Sequence, residues 1–406
     1  MPPEYITISI TWATQKLFSM KITIVNGFFL PMPPEKGGAT EKMWWRLAQI
    51  YAKRGHSVTL ISRCWYDWPD EEYRNGVHLI RIPGADYRSR LWKNLLLDAR
   101  WGCRVLRTLP PADILITNTI ALPIFAPYLR QGIGKLVINL NRYPKGQLNW
   151  YRHAARIQVP TGTIADAAKA QAPKLAPRIK LIPNPIDVTQ FQLTENQAYS
   201  ALEPLKVGFF GRIHPEKGVH TLVRAALILE ERQAAGAAAS GQPWQLVLRG
   251  PTDVALGGGG EEYTQQLYSL APKLWSSKKI IIKTPIFNPE ELAKAYSELT
   301  IFCYPSEALK GETHGISILE AMASGLPVVA SDLPVFQDYL NPGTDSLMFP
   351  MGNAQKLADA LFLLLNSPDL RQKIGATAHA ATLKLDDSVI ADQHLADYES
   401  LLSESS

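Results

Sequence analysis

The sequence predicts an α/β protein made of two Rossmann-like domains in tandem, each with a parallel sheet. Three observations carry this. Short β-branched runs alternate with helical patterns from residue 21 onward, the scheme begins again after a Pro-rich break near residue 183, and 406 residues is the length of two domains that each bury a core.

Lys21–Asn26 (KITIVN) reads as the opening strand. A Pro-rich loop leads to Gly37 and Gly38. Trp44, Leu47, Ala48 and Tyr51 then recur at the i, i+3, i+4, i+7 spacing of one helix face. Gly55 stands just past that helix, where a residue of positive φ closes it. Further strands are expected at Ser57–Ile61, Val77–Ile82, Asp113–Thr117 and Lys135–Leu140. The second half repeats the scheme at 205–210, 244–249, 279–283, 300–304 and 327–330. Between them Pro183–Pro204 holds Pro-Asn-Pro and then polar residues without a period, as a connection would.

The expected boundaries are an extension over 1–19, a first domain over 20–183, a connection over 184–204, a second domain over 205–376, and a helical segment over 377–406 packing back on the first domain. Residues 1–19 lack the charged start and apolar core of a secretory signal, and Met20 directly precedes the first strand, so either a disordered extension or a translation start at Met20 is expected. Ala234–Gly241 and Gly257–Gly260 are expected as flexible surface inserts. The Gly run lacks the Gly-Lys-Ser/Thr of a phosphate loop.

Composition narrows the function. Apolar residues at 46% and charged residues at 19% fit a globular chain and exclude a disordered or fibrous one. Cys64, Cys103 and Cys303 lie far apart, which excludes a disulfide scaffold and agrees with a reducing, cytoplasmic compartment. No apolar run reaches the ~18 residues of a membrane span. Net charge is +5, unevenly spread: residues 1–200 hold 26 basic and 13 acidic residues (+13), and residues 201–406 hold 16 and 24 (−8). A basic first half suits an anionic surface or substrate. Nucleic acid is not indicated, since neither zinc-finger spacing nor a ribonucleoprotein aromatic motif is present.

Two stretches bear chemistry. In Gly208–Gly218 (GFFGRIHPEKG) a strand ends in a loop holding Arg212 and Lys217, with a helix starting beside them. Open α/β sheets bind ligands at the carboxyl ends of their strands, and two cations at a helix N-terminus suit a diphosphate. The G-x-x-G spacing is not the dinucleotide fingerprint, which counts against an NAD oxidoreductase. The second stretch, Pro305–Val329, follows a strand and runs through Glu312, His314, Gly315 and Glu320 to a helix stop at Gly325. Glu312 falls in the loop and Glu320 one to two turns into the helix, so the pair is set to grip hydroxyls at two ends of one ligand. Free amides at Gly315–Ser317 would suit a phosphate.

These segments, with GGATEKMWWRLAQIYAKRGHSVTLI, PNPID and AMASGLPVVASD, resemble the family 4 glycosyltransferases of the GT-B fold across most of residues 21–365. The resemblance implies two facing Rossmann-like domains with the site between them and a nucleotide-sugar donor held mainly by the second. It implies that Arg212 and Lys217 neutralise the diphosphate, that Glu320 binds the ribose hydroxyls, and that Glu312 binds the donor sugar. Arg212, Lys217 and Glu312 are the expected catalytic set. His314, Gly315, Ile316, Ser317 and Glu320 are expected to bind donor, Ile286 and Phe287 to line the base pocket mostly by backbone, and Gly37 and Gly38 to let the first domain approach the phosphate. It further implies retention of configuration, with no obligatory metal or other cofactor; Asp386 and Asp387 are expected to be solvated.

Many family members place His at two strand ends of the first domain. Here Asn118, Asn141 and Arg142 stand there as possible sugar contacts. An amide bonds hydroxyls but does not titrate near neutral pH. His153 is a further candidate. The run Arg88–Leu109 places Leu91, Trp92, Leu95, Val105, Leu106 and Leu109 on one face, with Lys93, Arg100, Arg104 and Arg107 opposite, as a helix lying on an anionic membrane would. The sequence therefore reads as a cytoplasmic glycosyltransferase, peripheral on a membrane, acting on a saccharide or lipid-linked acceptor. A GT-B sugar-nucleotide epimerase and a non-catalytic sugar-nucleotide-binding subunit stand as alternatives.

Overall fold

The computed structural model describes residues 19–35, 37–88, 90–192, 204–236 and 242–404. Residues 1–18 of the expected extension, 193–203 of the connection and 237–241 of the first insert lie outside the described residues.

The first sheet comprises β1 (Lys21–Val25), β2 (Ser57–Arg63), β3 (Glu71–Arg74), β4 (Val77–Ile82), β5 (Ile114–Thr117), β6 (Lys135–Asn139), β7 (Arg156–Val159) and β8 (Ile179–Leu181). Their order is β3-β4-β2-β1-β5-β6-β7-β8, parallel except where β3 pairs antiparallel with β4. The second sheet comprises β9 (Leu205–Phe210), β10 (Trp244–Arg249), β11 (Ile280–Lys283), β12 (Ile301–Tyr304), β13 (Val328–Ser331) and β14 (Ser346–Phe349). It runs β11-β10-β9-β12-β13-β14, parallel throughout. Both orders reverse direction about a central strand, so each sheet opens a crevice at its carboxyl edge.

Alternation along β1 sorts the first core into two faces. Ile22 and Ile24 meet Met43, Trp44, Leu47 and Tyr51 of helix α1 (Ala39–Lys53), and Val25 joins Trp101 and Val105 of helix α2 (Leu91–Thr108) on the other side. The last helix, Asp387–Ser403, packs on α1, where the Tyr51 hydroxyl lies 2.8 Å from His394 Nδ1.

Helix α2 departs from expectation. Its buried side is Asn94, Asp98, Trp101, Gly102 and Val105, while Leu91, Trp92, Leu95 and Leu96 are exposed. Asn94 is turned inward because it brackets the Arg88 backbone, bonding both its amide and its carbonyl, and Asp98 because it accepts the Ile120 and Ala121 amides. Val105 and Leu109 therefore pack on the sheet, and the apolar residues of the first turns face solvent.

Two chain crossings join the halves. They are zipped together by Ile186 N donating to Leu385 O at 2.9 Å and Asp387 N to Ile186 O at 3.1 Å. Asp387 is not solvated as expected: it is buried there, with Arg46 Nε 2.8 Å from its carboxylate.

Candidate active site between the two sheets

After β9 the chain turns through Arg212 into a short 3-10 turn, Pro215–Lys217, ahead of the helix Val219–Ala234. Gly218 links them at φ +66°, and a Cβ there would fall 1.8 Å from the Pro305 carbonyl oxygen, so only glycine allows this approach of the two loops. Arg212 pairs with Glu216 at 2.5 Å and donates to the Gly257 carbonyl at 2.9 Å. The glycine run is thus not the free surface insert expected. Gly259 N also bonds the Ile213 carbonyl at 2.8 Å, which lays the run against the cation loop.

Lys217 is buried, its Nζ 2.5 Å from Glu312 Oε1 and over the Tyr304 ring at 5.7 Å. Glu312 Oε1 also accepts from Ser306 Oγ at 2.7 Å and the Tyr304 hydroxyl at 3.3 Å. One turn into the helix Ile316–Ala323, Glu320 is buried and accepts from the Tyr296 hydroxyl at 2.8 Å. Burial pushes the Glu320 carboxyl up from its ordinary range; the charges of Lys42 and Arg46, and the Tyr296 bond, draw it back.

The His314 ring is enclosed against Tyr339 at 4.6 Å, and its Nδ1 has no partner among the described residues. Burial pushes its pKa down to about 3, so it is a neutral imidazole at physiological pH. The amides expected to be free at Gly315–Ser317 are not all free, because Gly315 N donates to the Tyr339 hydroxyl at 3.1 Å. Those of Ile316 and Ser317 make no hydrogen bond among the described residues, as first-turn donors do when no cap meets them.

The first domain meets these groups at three places. The Phe287 side chain packs on Gly37: a Cβ at Gly37, whose φ is +85°, would sit 3.0 Å from the ring. Phe287 therefore presents its side chain as well as its backbone, with Ile286 beside it. Beneath Gly38 lies Glu41, 4% exposed, its pKa raised to about 7 by burial. At the second place the Thr161 hydroxyl donates to the Thr313 carbonyl at 3.2 Å, and the Thr313 hydroxyl to the Asn141 carbonyl at 3.5 Å. At the third, Lys310 Nζ stands over the Tyr143 ring at 5.7 Å.

The strand ends of the first sheet carry a row of amides. Val25 pairs with Thr117 and Thr117 with Ile138, so Asn26, Asn118 and Asn139 follow side by side on neighbouring strands. Asn141 donates to Asn139 at 2.7 Å, and Arg142 to the Asn118 carbonyl at 2.7 Å. Asn26, with both side-chain polar atoms unpartnered among the described residues, and Asn139 escaped the sequence reading, although their position at the carboxyl end of a strand was the available signal. His153 is engaged elsewhere, 2.8 Å from the Tyr128 hydroxyl. Among the described residues no group of three or more His, Cys, Asp and Glu is set to hold a metal ion.

Two Rossmann-like units that meet along their carboxyl edges, with cations and carboxylates between them, define a protein of the GT-B fold. Residues 192–380 match the family described as Glycosyl transferases group 1. The resemblance drawn from the sequence is borne out at that level, and the family 4 subdivision is consistent with it. The chain is similar to a phosphatidyl-myo-inositol mannosyltransferase of Mycobacterium leprae, 39% identical over 28% of this chain and 30% of that one. It is similar along almost its whole length to a GDP-mannose-dependent alpha-mannosyltransferase of Mycobacterium tuberculosis, 27% identical over 94% of this chain and 97% of that one. The first relatives are matched over less than half of their own length. Sucrose-phosphate synthase from Thermosynechococcus elongatus has the same fold, with TM-score 0.75 at 21% identity over 94% of this chain and 99% of that one. So has Anabaena HepE in complex with UDP-glucose, with TM-score 0.69 at 17% identity over 94% of this chain and 100% of that one.

Proposed function

We propose that the chain transfers a sugar from a nucleoside diphosphate donor to an acceptor hydroxyl, with retention at the anomeric carbon and without an obligatory metal. The observation that carries this is the convergence of Arg212, the Lys217–Glu312 pair and Glu320 on one cleft beside the unspent amides of Ile316 and Ser317. The donor's anomeric C–O bond breaks and its diphosphate leaves with growing negative charge. Arg212, Lys217 and the helix N-terminus stabilise that charge, which is the main catalytic demand. The acceptor oxygen forms the new bond from the same face, and its proton passes to a donor phosphate oxygen. Glu320 holds the ribose, Ile286 and Phe287 the base, and Glu312 the sugar, with Asn118, Asn141 and Arg142 facing it from the first domain.

The names of the similar mannosyltransferases support a nucleotide-sugar donor and a lipid acceptor. Exposed Leu91, Trp92, Leu95 and Leu96, with basic residues along α2, support peripheral attachment to an anionic membrane. No described helix is long and apolar enough to cross one. A thermal-shift screen against UDP, GDP, ADP and their sugars identifies the donor, since a ligand of the folded state raises its melting point. NMR of the product anomer then tests retention, and assay in EDTA tests metal independence. An inverted product, or activity lost to EDTA and restored by Mg²⁺ or Mn²⁺, contradicts the corresponding part.

A further inference from the structure

The helix Gly162–Gln171 of the first domain begins at the domain boundary, and its N-terminus is capped from the other side. Thr161 stands at its N-cap position with extended backbone, yet its side chain makes no bond to the helix it opens. The Thr161 hydroxyl instead donates to the Thr313 carbonyl of the second domain at 3.2 Å. The second domain returns the acceptor that a helix start needs. Asp338, just past the short helix Pro334–Gln337, accepts from Thr163 N at 2.8 Å through its carboxylate. A negative group is well placed there, at the positive end of the helix dipole. Gly162 lies between the two bonds, and a Cβ on it would fall 3.1 Å from Asp338 Oδ1.

Both bonds end beside the donor site. Thr313 directly precedes His314, and its own hydroxyl donates to the Asn141 carbonyl at 3.5 Å. Asp338 directly precedes Tyr339, whose hydroxyl accepts from Gly315 N at 3.1 Å and whose ring packs on the His314 ring at 4.6 Å. The turn 161–163 therefore holds the His314 segment from two sides, through Thr313 on one and through Asp338 and Tyr339 on the other. That segment carries the enclosed His314 Nδ1, which has no partner among the described residues, and leads into the unspent amides of Ile316 and Ser317.

We propose that Thr161 and Asp338 are positioning residues of the donor site: their two bonds across the domain boundary set His314 and the Gly315 amide in the cleft, so that the sugar end of the site is complete only while the domains face each other. This rests on the reading of the cleft as a nucleotide-sugar site. Arg212, Lys217 and Glu320, the side chains assigned there to the diphosphate and ribose, all belong to the second domain, and none of their printed partners lies in the turn 161–163. Loss of either cross-domain bond should therefore spare nucleotide binding and slow cleavage of the donor.

The test compares two quantities on the full chain: acceptor-free hydrolysis, at saturating donor, of whichever UDP-, GDP- or ADP-sugar the wild type cleaves, and calorimetric affinity for the matching diphosphate. If the wild type cleaves none, the proposed function itself fails, and this inference with it. Given cleavage, Asp338→Ala and Thr161→Val should each slow it about fivefold, the worth of one lost cap. Diphosphate affinity should stay near the wild-type value in both. Asp338→Asn keeps an acceptor for the Thr163 amide and Thr161→Ser keeps the hydroxyl, so these two should restore the rate. Thr161 is buried and Asp338 exposed, so Asp338→Ala keeps the test valid should Thr161→Val unfold. Wild-type rates in the Ala and Val variants would overturn the proposal. So would diphosphate affinity lost in step with the rate, or a slow rate that Asn and Ser fail to restore, since either would make these bonds part of the fold alone.

Discussion

Lys217 Nζ lies 2.5 Å from Glu312 Oε1, and their side chains are only 9% and 7% exposed. The family resemblance implies different parts of the donor for the two residues, the diphosphate for the cation and the sugar for the carboxylate. Their direct contact means that neither acts alone. Here the carboxylate neutralises the cation; under the proposed function, a diphosphate arriving at Lys217 would compete for it and free Glu312 lone pairs for sugar hydroxyls.

Lys217→Ala and Arg212→Ala should each lower turnover, by roughly 100-fold or more, since both meet charge that grows in the transition state. They should differ in stability. Arg212 is 42% exposed, and its loss should leave the melting temperature nearly unchanged. Lys217→Ala strands a buried carboxylate and should lower stability by about 3 kcal/mol. Parallel kinetics and melting curves check both. Near-wild-type turnover in the two variants would remove this loop from the mechanism.

Glu320→Ala should weaken binding of the bare nucleoside diphosphate, by about tenfold for a lost hydrogen bond of a charged group. Glu312→Ala should spare that binding or strengthen it, because it releases Lys217 for the phosphates, while sugar transfer falls. Calorimetry with the diphosphate and rates with its sugar separate the two. The opposite pattern would mean that the two carboxylates have been exchanged.

Glu41 gives a pH signature. Its pKa is raised from 4.5 to about 7 by burial under Gly38. The folded protein therefore binds more protons than the unfolded chain between these values, and this group makes stability fall as pH rises through that window. Glu41→Gln cannot titrate. Relative to wild type it should gain up to roughly 3 kcal/mol at pH 8 and little at pH 4.5. Denaturant unfolding at the two pH values decides, and a gain of equal size at both would show that packing rather than ionisation is responsible.

Exposed Leu91, Trp92, Leu95 and Leu96 form the surface through which α2 is proposed to meet a membrane. Trp92/Leu95/Leu96→Ser should abolish co-sedimentation with anionic vesicles, and Arg100/Arg104/Arg107→Glu should weaken it strongly, given about 1 kcal/mol per cation near the surface. Binding should also fall with salt. Equal recovery of the wild type and both variants with neutral and anionic vesicles would favour a soluble acceptor.

The sequence was informative where burial imposes a period and blind where it does not. Parallel strands buried on both faces, such as β12 (IFCY), read as continuous apolar runs. The β3 strand, EEYR, is exposed and has no such run, with Tyr73 77% exposed; the Asn75-Gly76 turn, at φ +53° and +80°, was its one legible mark. The face of α2 was misread because Asn94 and Asp98 are polar yet turned inward by backbone groups far from their own turn. Motif residues such as Arg212 and Glu320 were found by type and spacing, but the Lys217–Glu312 contact joins residues 95 apart and has no local trace.

The most direct measurement is release of nucleoside diphosphate from a panel of UDP-, GDP- and ADP-sugars without acceptor. A glycosyltransferase site of this kind should hydrolyse one donor slowly, water replacing the acceptor, with the rate lost in Lys217→Ala and the diphosphate still bound by the wild-type protein. Binding of every diphosphate absent, or hydrolysis untouched by Lys217→Ala, would contradict the assignment of this cleft as a donor site.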